Sequence, residues 1–176
     1  MDSEPTNPEP ADLATTEIAQ LQAREGEFDE HLGPFFEMWL RTFVYESRLD
    51  PQLRELAILR VLWRCARRFE WGNHYRFARV AGASQETIAS VKTAEPARDL
   101  GGPLAIVVRA ADDVVDQGFV APDTLERVRT VFPDPKHIQE FLFVVAGYRM
   151  YASVSQSGPE EPLGKWKAWP PDGVAP

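Results

Sequence analysis

Apolar and polar positions alternate along most of this chain with the three- and four-residue steps of amphipathic helices. The clearest case is Leu53–Ala81, LRELAILRVLWRCARRFEWGNHYRFARVA, which contains no proline and a single interior glycine, Gly72. Leu56, Leu59, Trp63 and Ala66 form its stripe, and Leu53, Ala57, Val61 and Leu62 widen it, which predicts a helix buried over a broad face. Asp50-Pro51 supplies the start signal, an N-cap followed by proline in the first turn, and Gly82 supplies the stop. Upstream, a helix is expected from Asp12 to about Arg24. A second opens at Gly33-Pro34, with Phe35, Phe36, Trp39, Leu40 and Phe43 as a large aromatic face that core packing explains.

Downstream, Ser84 is expected to cap a short helix through about Val91. Residues 93–102 read as a loop. Pro103 begins a helix whose inward positions are Leu104, Val107, Val108, Ala111, Val114 and Val115, and Gly118 closes it. Asp123 with Glu126 resembles a capping box for a helix to about Val131. After Pro133-Asp134-Pro135 comes a last long helix, roughly 136–153, with Ile138, Phe141, Leu142, Val145 and Tyr148 facing inward. No hairpin turn flanked by alternating residues is evident. The expected fold class is therefore all-α with six to eight helices. The expected organisation is a disordered tail over 1–11, a single helical domain over 12–156, and a C-terminal tail over 157–176. Trp166 and Trp169 suggest that this last tail packs on the body or on a neighbouring subunit.

Composition changes this picture mainly by exclusion. The net charge of −8 argues against nucleic acid or an anionic membrane as a partner, since both reward clustered Lys and Arg. No apolar run approaches the length of a membrane span. The proline-rich, acidic start MDSEPTNPEP is the opposite of a signal sequence, so a cytoplasmic location is expected. A single cysteine, Cys65, rules out an internal disulfide and any CxxC motif, and reads as a small buried hydrophobe.

Three proton-handling groups stand in the central stretch: Glu55, Glu70 and His74. Buried carboxylates need partners. Glu70 and His74 are four apart, so a helix places them on one face, where the carboxylate can orient the imidazole. Glu55 has no cation three or four residues away, and the adjacent Arg54 is expected to point elsewhere on the helix. In one straight helix Glu55 and Glu70 would lie about 22 Å apart. They share a site only if the chain folds back near Arg67-Arg68, where the first apolar stripe ends and Phe69 begins another. A metal site from these three groups is disfavoured without a second histidine. Arg60 and Arg64 read as solvated charges, Tyr148 as core, and His31 and His137 as structural.

The segments Leu53–Arg60, Glu70-Trp71-Gly72-Asn73-His74 and Ala81–Ser84 resemble the carboxymuconolactone decarboxylase family, which also contains the alkylhydroperoxidase-D-like proteins. The resemblance spans roughly residues 30–158. It implies an all-helical fold in which a helical hairpin brings Glu55 near the start of the second helix, and homo-oligomers, trimers or hexamers. The peroxidase branch carries C-x-x-C-x-x-x-H; counting back from His74, its thiol positions are Arg67 and Glu70 here. The decarboxylase branch resembles E-x-x-x-H, which Glu70 and His74 match. The expectation is thus a cofactor-independent acid–base enzyme acting on a small organic acid, lactone or carbonyl compound by decarboxylation, isomerisation, elimination or lactone opening. Its catalytic groups would be Glu55, Glu70 and His74. The alternatives are an alkylhydroperoxidase-type oxidoreductase and a non-catalytic helical binding protein.

Overall fold

The computed structural model describes residues 31–93, 100–157 and 174. The expected helix 12–24, both terminal tails apart from Ser157 and Val174, and most of the 93–102 loop lie outside these residues. Among the described residues there are seven α-helices, one short π-helical stretch and no strand, so the fold is all-α as the periodicity requires. None of these helices is long and apolar enough to cross a membrane.

The chain divides into two compact units, Met1–Ser47 and Arg48–Pro176. In the first, α1 (Gly33–Leu40) has proline in its opening turn and runs into a π-helical stretch, Arg41–Tyr45. Phe35 and Phe36 meet edge to face at 5.4 Å, and Trp39 and Phe43 stand 5.9 Å apart.

The second unit is built around α2 (Pro51–Arg64). The Asp50 side chain accepts the Leu53 N–H at 2.9 Å, the cap that the sequence predicts. Leu56 to Leu59 and Val61 to Leu62 are buried without a break except for Arg60, which is buried as well. A helix buried so widely needs neighbours on several sides, and α2 packs against α3 (Arg68–Val80), α5 (Gly102–Gln117) and α7 (Pro135–Gln156). Between them lie α4 (Gln85–Ser90), capped by Ser84 on the Thr87 N–H, and α6 (Pro122–Val131).

The chain does turn back where expected. Helix α2 ends with Ala66 in the left-handed region at φ +54°, and Arg67 is extended. The Arg67 N–H bonds the Leu62 carbonyl at 2.9 Å, closing a Schellman-type stop in which alanine holds the place glycine usually takes. The same arrangement ends α3 with the usual residue. Gly82 has φ +91°, and the Ala83 N–H reaches the Ala78 carbonyl at 2.9 Å. Trp63 and Trp71 meet across the hairpin at 5.6 Å, with the Lys92 ammonium over both rings.

Three local expectations are corrected. Helix α6 has no side-chain cap: Ala121 is its N-cap, its N–H is taken by Asp113 at 3.0 Å, and Glu126 pairs with Arg129 instead. Helix α7 starts one residue earlier and runs three residues further than expected, capped by Asp134. Its buried face is Phe141, Val144, Val145, Tyr148 and Ala152, while Ile138 and Leu142 are only half-buried. Arg60 is not solvated. It is 2% exposed and donates to Asp112 at 2.6 Å and to the Val91 and Thr93 carbonyls at 2.7 and 2.9 Å, tying α5 and the end of α4 to α2. Arg64, 30% exposed by its side chain, joins the same cluster through Asp112 and Asp116.

Candidate active site

The hairpin of α2 and α3 brings Glu55 and His74 together although 19 residues separate them. Glu55 is completely buried and His74 is 6% exposed. The His74 Nδ1 lies 2.7 Å from Glu55 Oε2. An ionised carboxylate can only accept, so Nδ1 carries the proton, and whenever the ring is neutral Nε2 is its basic nitrogen. Tyr148, from the middle of α7, meets the imidazole edge to face at 4.8 Å, and Phe77 lies 5.6 Å away. The ring is thereby held by one hydrogen bond and two aromatic neighbours.

Glu55 has a second partner. Arg54 donates to Oε1 from Nε at 2.9 Å, with Nη2 in ion-pair contact with the same oxygen at 2.8 Å. The expectation that Arg54 points away is corrected. Adjacent Cβ atoms on a helix do diverge, but the guanidinium at the end of a long side chain reaches back over its neighbour. Burial pushes the Glu55 carboxyl up, yet the His74 imidazole and the Arg54 guanidinium outweigh it and hold the group below the ordinary value of 4.5. Glu55 is therefore an anion at neutral pH despite complete burial.

Glu70 does not orient His74 in the way the four-residue spacing suggests. Its carboxylate is claimed by Arg67, at 3.2 Å from Nε to Oε2 and 3.1 Å from Nη2 to Oε1, with the Ser155 hydroxyl donating at 3.4 Å. The imidazole is fixed by Glu55 instead. Arg67 sits just before α3, so its cation also lies where the hairpin reverses.

Cys65 closes α2 at the hairpin and is free. Burial pushes its thiol up against the pull of Arg149, Arg64 and Arg67, which lowers the thiolate fraction available at neutral pH. Among the described residues no group of three or more His, Cys, Asp or Glu side chains is arranged to hold a metal ion.

The family model described as "Carboxymuconolactone decarboxylase family" matches residues 30–111. Over that stretch the chain is similar to the carboxymuconolactone decarboxylase family. The matched stretch contains Arg54, Glu55, Glu70 and His74, and ends inside α5; Tyr148 and Ser155 of α7 lie beyond it. No curated protein and no solved structure matches the chain. Within the matched stretch, the two positions that would carry the peroxidase branch's thiols hold the Arg67–Glu70 ion pair.

Sequence reasoning picked out Glu55, Glu70 and His74, and the structure brings Glu55 and His74 into direct contact. It missed Arg54 and Ser155 and assigned Tyr148 to the core. The buried, ring-facing placement of Tyr148 shows that both descriptions apply to it. The signal available for Arg54 was its place beside a carboxylate with no other cation in reach.

Proposed function

We propose that this protein is an acid–base enzyme of the carboxymuconolactone decarboxylase kind, working without a bound cofactor on a small organic acid, lactone or carbonyl compound. One observation carries the reading: a fully buried carboxylate at 2.7 Å from Nδ1 of a nearly buried imidazole. That pairing fixes ring orientation and tautomer, and it stabilises the imidazolium that forms when Nε2 takes a proton.

In the proposed step Nε2 removes a proton from a carbon next to a carbonyl. The C–H pair moves into the substrate as an enolate, and the new N–H returns its proton at another carbon or at a leaving oxygen. In the decarboxylation version Nε2 first takes the proton of the substrate's carboxylic acid; the bond to the carboxylate then breaks, CO₂ departs, and the imidazolium returns that proton to the carbon. Either way the substrate delocalises its own charge. Glu55 stays ionised throughout. Glu70, engaged with Arg67 and Ser155, supports the start of α3 and takes no direct part in the transfer.

Positioned proton transfer contributes about 10²–10⁴-fold. Replacing His74 with Gln is expected to lower turnover by that factor while the fold persists. The test is a panel of lactones, β-keto acids and enols followed by mass spectrometry, wild type against His74→Gln. Equal conversion by both would remove the mechanism. Assembly into homotrimers or hexamers belongs to the same proposal. The exposed apolar side chains Phe143, Met150 and Val154 along α7 support it, and light scattering on the purified protein tests it.

A further inference from the structure

Arg54 stands in this site without a role in the proposed chemistry. It is 7% exposed, which is costly for a guanidinium unless its charge is matched. Its match is unusual in shape. An arginine facing a carboxylate commonly forks across both oxygens, one N–H to each. Here Nε and Nη2 both converge on Oε1, at 2.9 and 2.8 Å, and Oε2 is left to Nδ1 of His74 at 2.7 Å. The two oxygens of Glu55 are thus divided between a permanent cation and a titratable ring.

We propose that Arg54 is a positioning residue that sets the proton affinity of the Glu55–His74 pair, keeping Nε2 available as a base. The inference rests on the acid–base reading of the same site. Without a second cation, a buried carboxylate beside an imidazole would hold a proton tightly, because the neutral pair leaves one anion uncompensated. The ring would then remain imidazolium at neutral pH and could not accept a proton from substrate. Arg54 supplies the compensating charge, so the cluster is already balanced with His74 neutral, and adding a proton leaves a net positive charge in a poorly solvated place. Gripping only Oε1 lets Arg54 do this without displacing the imidazole.

The other groups facing the pair do not supply that charge. On α3, Glu70 lies one turn before His74 and is neutralised by Arg67. From α7 the ring meets Tyr148, whose phenol carries no positive charge; Ser155 of the same helix is directed to Glu70. On α2 itself the neighbours are Arg54 and Glu55. Among the described groups facing the pair, Arg54 is the cation placed on Glu55.

The test reads the imidazole directly and needs no substrate. The full chain, labelled with ¹⁵N at histidine, has three imidazoles, and the His74→Gln spectrum assigns the signals of His74. The apparent pKa of the pair is followed by NMR in the wild type, Arg54→Gln and Arg54→Lys. Arg54→Gln removes the charge and is expected to raise that value by about one unit or more. Arg54→Lys keeps the charge, and the value is expected to stay within about half a unit of the wild type. An Arg54→Gln titration that overlays the wild type overturns the proposal, as does a Lys variant that shifts as far as Gln. If Arg54→Gln fails to fold, Arg54→Met takes its place as the charge-removing variant: a rise of about one unit or more supports the charge role, and a wild-type titration overturns it. These outcomes are separate from the fate of the catalytic reading, which stands or falls on turnover by His74→Gln.

Discussion

Glu55 and Glu70 are both buried carboxylates on one hairpin, yet their partners give them different work. Glu55 serves His74 and Arg54, whereas Glu70 serves Arg67 and Ser155. Substituting each with Gln should therefore separate them. Glu55→Gln removes the anion that orients and stabilises the imidazolium and strands a buried guanidinium. Turnover should fall by about 10²-fold or more, and unfolding in urea should show a loss of about 3–5 kcal/mol, the range found when one partner of a buried pair is removed. Glu70→Gln should leave turnover within about tenfold of the wild type, because Nδ1 keeps its acceptor. A collapse of activity in Glu70→Gln with Glu55→Gln unaffected would reverse the assignment. The misreading of Glu70 has a simple cause. A carboxylate has neighbours on both sides along a helix, and Arg67, three residues before it, competes with His74, four residues after it. Both offers are visible in the sequence; which one wins depends on where the hairpin turn aims Arg67.

The hairpin itself is the element on which the site depends, and its turn is built with an unfavourable residue. Ala66 adopts φ +54°, a conformation that costs an L-residue roughly 1–2 kcal/mol compared with the right-handed alternative. At Gly82 and Gly118 the corresponding stops use glycine. Ala66→Gly should relieve that strain, with part of the gain lost to the greater freedom of glycine in the unfolded chain. The expected result is a net stabilisation of up to about 1 kcal/mol, read as a higher urea midpoint with unchanged slope. A lower midpoint would mean that the Ala66 methyl makes contacts worth more than the strain. This turn also explains why the break was legible only through the change of apolar stripe at Phe69. Starts such as Asp50-Pro51 and Ser84 announce themselves by side chains that bond the backbone. A left-handed alanine carries no such mark, and only tertiary packing selects it.

For the whole molecule, the layout of helices was legible and the buried polar ties were not, because hydrophobic periodicity reports which face is covered and not what covers it. Arg60 shows the limit. Its acceptors lie 31 to 52 residues away, so nothing local distinguishes it from a solvated charge. The same long-range ties make the fold depend on pH, with Glu55 the clearest contributor. Its folded carboxyl titrates below the ordinary value of 4.5, so the native state binds fewer protons than the unfolded chain as pH falls past that value. Its contribution to stability is complete above 4.5 and is lost as pH drops through the lower folded value. His74 and Arg54 both create this depression, working against burial. Removing the imidazole leaves burial opposed by Arg54 alone. Urea unfolding free energies measured between pH 7 and pH 3 should therefore fall toward acid in the wild type and fall less steeply in His74→Gln. Parallel curves for the two proteins would show that the His74 imidazole does not hold the Glu55 carboxyl down.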